Sequence, residues 1–112
     1  MIVNTIGQTA IISQEVKTLD VFLDHVMATY KDYEMLHIVL HLLTDKMINN
    51  TEIDRLVALA ATHKAAGKSF VVVTDMLTYD QVPDGLELVP TLQEAKDVIE
   101  MEDIERDLGI WS

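Results

Sequence analysis

The sequence contains no cysteine, and its 112 residues include only four glycines and two prolines. Without cysteine, the chain can form no disulfide bond, no cysteine-ligated zinc site and no catalytic thiolate, and it is compatible with a reducing cytoplasm. With so few glycines it has little backbone that could wrap a phosphate, and it shows no Gly-rich phosphate loop and no Ser nucleophile elbow. We therefore expect no cofactor and no catalytic residues, and interpret the chain as a non-enzyme. An acid/base pair among the 19 acids stays open, but it would need one buried or otherwise perturbed member.

Basic residues are also scarce, since 8 lysines and arginines stand against 19 acids and give a net charge of −11. Nucleic acids and anionic lipids are bound by basic surfaces, so we expect neither as a partner. No apolar run approaches the ~20 residues of a membrane span. The first residues, MIVNTIGQTAIIS, lack the basic start and long apolar core of a signal peptide. These absences predict a cytoplasmic protein.

Only four histidines occur, and two of them, His37 and His41, have a spacing that would bring two metal ligands together on a helix. They lie in a run dominated by Ile, Val and Leu, which is typical of a strand. On a strand, residues four apart share a face but are separated by ~13 Å. Two imidazoles cannot ligate one ion over that distance, so we predict no metal site.

Residues 37–73 have the pattern strand, loop, helix, turn, strand. The runs 36–43 and 69–73 are apolar on both faces, as in strands covered by helices on both sides. Between them, apolar residues recur at helical spacing, and Gly67 is placed to end the helix. These residues are Ile53, Leu56, Val57, Ala60 and Ala61. Two strands joined by one such helix predict a parallel βαβ unit.

The start of this predicted helix carries Asn49, Asn50 and Thr51, three successive side chains that can cap a helix. Thr51 and Asp54 have the spacing of a capping box. Capping alone is one interpretation of this segment. The alternative is a binding surface, because free N–H groups at a helix start would lie beside the carboxyl end of a strand, which is the usual binding edge of α/β sheets.

From His41 to Val73 the chain resembles, without gaps, the core of the STAS domain, the sulfate transporter and anti-sigma factor antagonist module. In that family, a strand ending in Asp-Leu-Ser precedes Asp-Ser-Ser-Gly-Leu at a helix start, and Ala-Gly-Gly precedes the next strand. The segment NNTEI, residues 49–53, matches Asp-Ser-Ser-Gly-Leu. The resemblance therefore places Asn50 at the phosphorylatable Ser, and an amide cannot accept a phosphate. Thr51 is adjacent and remains a weak phosphorylation candidate.

The whole chain is also similar to a group of small stand-alone bacterial proteins, some of which carry the name ribonuclease Z. The likeness is strongest from Val89 to Gly109, VPTLQEAKDVIEMEDIERDLG. The His-x-His-x-Asp-His signature of zinc-dependent ribonuclease Z enzymes is absent from the sequence. We therefore expect no ribonuclease catalysis from this chain.

Residues 1–112 are predicted to form one STAS-like α/β domain with a mixed sheet of about five strands and three to four helices. Before the central unit, the sequence predicts a hairpin of Ile2–Ile6 and Thr9–Ser13 and a helix from Thr18. After it come one helical turn near Met76–Tyr79 and an edge strand at Leu86–Val89. The last predicted helix runs from Leu92 to about Leu108, with a Thr91/Glu94 capping box at its start and Gly109 at its end.

That final helix is strongly acidic, with seven acids and two bases from Glu94 to Asp107. A solvated face is one interpretation. The other is a docking surface for a basic partner, formed by Glu102, Asp103 and Glu105 with Trp111 as an apolar anchor. A fold-back of Trp111 onto the domain is equally compatible with the sequence.

The sequence thus predicts a non-catalytic protein-interaction module that resembles anti-sigma factor antagonists but lacks their phosphorylatable Ser. The candidate partner-binding residues surround the start of the middle helix: Lys46, Met47, Asn49, Asn50, Thr51, Glu52 and Asp54. The expected partner is another protein, either a regulator, a kinase-like protein or a neighbouring enzyme, and self-association stays open. Two alternatives remain: a small-ligand or nucleotide-binding domain, and an accessory subunit docked through the acidic helix.

Overall fold

The computed structural model describes residues 1–15, 18–43 and 47–110. Within these ranges there are five strands and three α-helices, in the order β1 (Ile2–Ile6), β2 (Thr9–Ser13), α1 (Leu19–Ala28), β3 (His37–His41), α2 (Asn50–Ala65), β4 (Phe70–Val73), β5 (Glu87–Val89) and α3 (Leu92–Asp107). The strands form one mixed sheet in chain order, in which β1 is antiparallel to β2 and all other pairs are parallel. The predicted α/β fold, with a mixed sheet of about five strands and three to four helices, is confirmed at this level.

The predicted hairpin and βαβ unit are both present. Gly7 lies in the β1–β2 turn at φ +58°, a conformation that costs glycine little and strains other residues. β3 and β4 pair in parallel, with Ile38 opposite Phe70. Every residue of β4 is buried, which agrees with its all-apolar sequence.

The sheet is covered on both faces, and alternate strand residues divide between two cores. Helices α1 and α2 pack on one face, over strand residues such as Ile12, Leu40 and Val72. Helix α3 packs on the other face, over residues such as Val39 and Val71. The second core is smaller because one helix supplies it. The α3 residues in this core are Leu92, Ala95, Val98 and Ile99, all from the first half of the helix.

The connection between β4 and β5 differs from the prediction. A helical turn was expected near Met76–Tyr79, but the structure has a single 3-10 turn at Tyr79–Gln81. The preceding residues bend at Asp75 and Met76, and Leu77 packs in the larger core. The Gln81 side chain accepts a hydrogen bond from the Thr78 N–H at 2.9 Å, which fixes the start of the turn. β5 is an outermost strand of the sheet, as predicted.

The final helix begins and ends where predicted, and of the predicted Thr91/Glu94 capping box the structure shows the Thr91 half. The Thr91 hydroxyl accepts a hydrogen bond from the Glu94 N–H at 3.2 Å. At the other end, the Gly109 N–H bonds to the Arg106 carbonyl and the Ile110 N–H to the Glu105 carbonyl, with Gly109 at φ +75°. This is the Schellman pattern. No helix in the described part of the chain is both long and apolar enough to cross a membrane.

Candidate functional site

The carboxyl ends of β3, β4 and β5 lie along one edge of the sheet, and α2 begins from this edge. Buried Ile48 anchors the approach to α2 in the larger core. Before this anchor in the chain, two apolar side chains point into solvent: Leu43 is 60% exposed and Met47 is 81% exposed. The edge therefore presents apolar side chains next to a helix start.

The start of α2 is closed by its own residues. The Asn49 side-chain oxygen accepts a hydrogen bond from the Glu52 N–H at 2.8 Å, and Glu52 Oε1 accepts one from the Asn49 N–H at 3.0 Å. This is a complete capping box. The predicted Thr51/Asp54 box is wrong: the helix begins two residues earlier, because Glu52 is long enough to reach back to the N-cap.

Capping changes which of the predicted residues remain open to a partner. Asn49 and Glu52 are engaged with each other, and the Glu52 side chain is largely buried. Asn50, Thr51 and Asp54 are exposed on the first turns of the helix. Met47 lies beside them, whereas Lys46 is outside the described residues. We call Leu43, Met47, Asn50, Thr51 and Asp54 the α2 surface.

A groove of about 270 Å³ runs along the same edge. Its lining comes from the ends of three neighbouring strands: His41, Leu42, Leu43, Val73, Thr74, Asp75 and Pro90. His41 thus lies at the opposite end of β3 from His37. Among the described residues, no three His, Asp or Glu side chains gather in a way that could hold a metal ion.

The opposite, amino edge of the sheet holds a partly buried polar cluster that the sequence did not predict. His37 Nδ1 accepts a hydrogen bond from the Ser69 N–H at 3.0 Å, and its Nε2 lies 3.0 Å from Asp103 Oδ1. Since a backbone N–H can only donate, the proton of the neutral ring is on Nε2 and is donated to Asp103. Burial lowers the pKa of His37, and the Asp103 carboxylate acts in the opposite direction.

Ser69 connects this histidine to the rest of the cluster. Its hydroxyl donates to Glu102 Oε1 at 2.5 Å and accepts from Arg106 Nη2 at 2.8 Å. Arg106 Nε also donates to the Gly67 carbonyl at 2.9 Å. Burial raises the pKa of Glu102, which the Ser69 hydrogen bond partly opposes. We call His37, Ser69, Glu102, Asp103 and Arg106 the amino-edge clamp, since they fasten the C-terminal half of α3 to the sheet.

A second buried histidine lies near this clamp on the other side of the sheet. His63 is fully buried, and its Nε2 donates to the Leu36 carbonyl at 2.7 Å. Its Nδ1 then accepts from the Tyr30 hydroxyl at 2.6 Å. Burial is the main cause that lowers the pKa of His63. The sequence did contain a sign of this burial, because His63 follows Leu56 and Ala60 at the spacing of the apolar stripe of α2.

The acids proposed as a docking tail have different environments. Glu102 and Asp103 face the sheet and bind Ser69 and His37. Glu105 is partly exposed. Trp111 lies outside the described residues. Two of the four predicted docking residues are therefore engaged within the chain itself.

The clamp contains a serine, a histidine and two acids, but not in the arrangement of an activated nucleophile. The Ser69 hydroxyl is fully buried and donates to Glu102, while the His37 ring bonds to the backbone N–H of Ser69 and not to its hydroxyl. A nucleophilic serine needs its hydroxyl bonded to the base and open to substrate. The geometry is that of a structural network.

No family model and no curated protein matches this chain. The chemistry of its surfaces is then the basis for a functional assignment. The carboxyl edge presents exposed apolar side chains and a groove next to a helix start. The amino edge also has an exposed apolar side chain, Ile6, and a groove of about 210 Å³ that reaches Thr9 and Asp103, but its polar side chains are engaged in the clamp.

Proposed function

We propose that the chain is a STAS-like, non-catalytic protein-interaction module that binds another protein through the α2 surface. One observation supports this most directly. The helix start is satisfied by its own capping box, while Leu43 and Met47 beside it are 60% and 81% exposed. Exposed apolar side chains surrounded by polar residues are typical of protein contact surfaces, and methionine is enriched there.

The small-ligand or nucleotide alternative is less well supported at this helix. An anion bound at a helix start uses the free N–H groups of the first turn. Here the Glu52 N–H is bonded to Asn49, and the Glu52 carboxyl group occupies the first turn. A phosphate would meet an acidic side chain in the place where it needs donors. The arrangement favours a neutral or basic protein surface instead.

A further groove, of about 320 Å³ between α1 and α2, is no better as an anion site. It is mostly apolar, and its one cationic lining residue is Arg55. Arg55 Nη2 lies 2.6 Å from Asp24 Oδ1, and Nη1 lies 3.3 Å from Asp20 Oδ1. The guanidinium of Arg55 is thus already paired with two carboxylates.

The proposed interaction does not depend on phosphorylation at the position that the STAS resemblance assigns. Asn50 is the first residue of α2 and is exposed, but it has no hydroxyl group. Thr51 is exposed as well, yet a phosphate there would lie one residue from Glu52. We expect the module to bind its partner constitutively.

The test is an affinity capture from the native cytoplasm with three baits, followed by mass spectrometry. The baits are wild type, Asn50→Arg/Thr51→Arg, and the control Ala61→Arg/Ala65→Arg, which adds the same charge at exposed positions at the other end of α2. We expect a protein captured by wild type and by the control but lost with Asn50→Arg/Thr51→Arg. Thermal melts establish that all three baits are folded.

Two outcomes contradict the proposal. A partner retained by all three baits places the contact elsewhere on the molecule. If no protein is captured by any bait, while wild type gains thermal stability from nucleotides or phosphorylated metabolites, the chain is a ligand-binding domain.

A further inference from the structure

Helix α3 reverses its polarity part-way along its length. In its first half, Leu92, Ala95 and Ile99 pack on the sheet. In its second half, the residues that face the sheet are polar: Glu102 and Arg106 reach Ser69. The apolar residues of this half must therefore point away from the protein. The clamp holds the helix in this orientation without their help.

The outward residues form a continuous apolar stripe of Met101, Ile104, Leu108 and Ile110. Each of the four is between 59% and 68% exposed. Met101, Ile104 and Leu108 are three and then four residues apart, which places them on one helical face. The same 3-4 spacing forms the seam of a coiled coil. A stripe of this kind can form one half of a helix pair.

Acidic side chains border the stripe on both sides. Glu100 and Asp107 are seven residues apart and lie on one flank, and partly exposed Glu105 lies on the other. Asp97 continues the stripe one turn earlier. The helix has only two basic residues, and Arg106 is turned inward to Gly67 and Ser69. Lys96 is then the only cation on the outer surface of α3, where it lies among five acids.

We propose that the outer face of the second half of α3, from Met101 to Ile110, is a docking site for a basic amphipathic helix of another protein. Apolar residues of the partner at a and d positions would cover Met101, Ile104 and Leu108. Lysine or arginine at its flanking positions would face Glu100, Glu105 and Asp107. The site is separate from the α2 surface and does not depend on it.

Charge argues against a second copy of this chain as the occupant. Pairing two α3 stripes would bring acidic flanks against acidic flanks, and each chain carries a net charge of −11. Like charges at the flanking positions of a helix pair oppose association. A basic helix is attracted by the same field at a distance and is then held by the apolar contact.

The experiment uses a fluorescein-labelled synthetic peptide of about three heptads, with leucine at a and d and lysine at e and g. A second peptide replaces the lysines with glutamate. Binding to the whole chain is followed by fluorescence anisotropy at two salt concentrations. The variants are Met101→Ser/Ile104→Ser, which removes apolar surface from exposed positions, and Leu43→Ser/Met47→Ser as a matched control on the α2 surface.

We expect the lysine peptide to bind and the glutamate peptide to bind at least roughly tenfold more weakly. Met101→Ser/Ile104→Ser should weaken binding of the lysine peptide by a similar factor or more, because the variant loses two exposed apolar side chains that the peptide would cover. The control variant should bind as wild type does. If the serine variant binds as tightly as wild type, the attraction is a general effect of acidity and the proposal is overturned. A dimer in sedimentation that Met101→Ser/Ile104→Ser dissociates would overturn it too, in favour of a second copy.

Discussion

Burial favours the neutral form of two histidines, whereas the acceptors to which they donate act in the opposite direction. His37 receives an N–H from Ser69 on one nitrogen, so a proton added there would face a donor. His63 is enclosed between Tyr30 and the Leu36 carbonyl. For both, burial lowers the pKa below the ordinary value. A group with a lowered folded-state pKa stabilises the fold above about pH 6.5, its unfolded value, and loses that contribution as the pH falls.

We expect His63→Phe to lower the free energy of unfolding by about 1–3 kcal/mol at about pH 8, because Tyr30 and Leu36 lose their partner. The variant should also lose less stability than wild type between about pH 7.5 and about pH 5.5, since one titrating group is gone. Urea denaturation at both pH values measures this. Tyr30→Phe is the control, because it removes a hydrogen bond but keeps the imidazole and so the pH dependence. An unchanged pH dependence in His63→Phe would show that this ring does not titrate with unfolding.

The cap of α2 gives a second test at this scale. Asn49→Ala should cost about 1 kcal/mol of stability, because the Glu52 N–H loses its acceptor. Thr51→Ala should change stability by less than about 0.5 kcal/mol, since Thr51 is exposed and outside the box. Equal losses in the two variants, measured by urea denaturation, would contradict the Asn49/Glu52 assignment.

At the scale of elements, α3 is fastened by two different means. Its first half is held by apolar packing and its second half by the amino-edge clamp. Removal of one clamp member should therefore loosen only the second half. The two halves can be distinguished by the rate at which their amide hydrogens exchange with solvent.

We expect Arg106→Gln to speed amide exchange in residues 101–107 and to leave residues 95–99 close to wild type, because the bonds from Arg106 to Gly67 and Ser69 are lost. Lys96→Gln is the matched control, as it removes a cation from an exposed position on the same helix. Hydrogen exchange with mass spectrometry resolves the two segments. Uniform acceleration along α3 would mean that the clamp supports the whole helix.

The sequence predicted the elements better than the contacts between them. Continuous apolar runs correctly predicted β3 and β4 as buried parallel strands, and the spacing of capping residues correctly predicted the ends of α3. The capping box was placed two residues too late because adjacent Asn and Thr residues offer competing helix starts. The clamp was not predicted, since Ser69 and Glu102 are 33 residues apart in the chain and no local pattern relates them.

For the whole molecule, the dominant long-range property is the net charge of −11. The excess acidic side chains repel one another in the folded state, which lowers its stability. We expect the melting temperature to rise by a few degrees as NaCl increases from about 0.02 M to about 0.3 M, because salt screens this repulsion. Differential scanning calorimetry measures the change. A falling melting temperature would mean that ion pairs such as Arg55–Asp24 outweigh the repulsion.

The strand register also determines where the two ends of the described chain lie. Ile2 is opposite Ser13, and Ser13 is opposite His41, so Met1 lies at the carboxyl edge, where its amino group pairs with Glu15 at 2.7 Å. The end of α3 lies at the amino edge, where Arg106 bonds to Gly67. A dye on Met1 would therefore report on events at the α2 surface, and a dye after Ile110 on events at α3. Conversely, a bulky fusion at either position would obstruct the surface at its own edge and leave the other accessible.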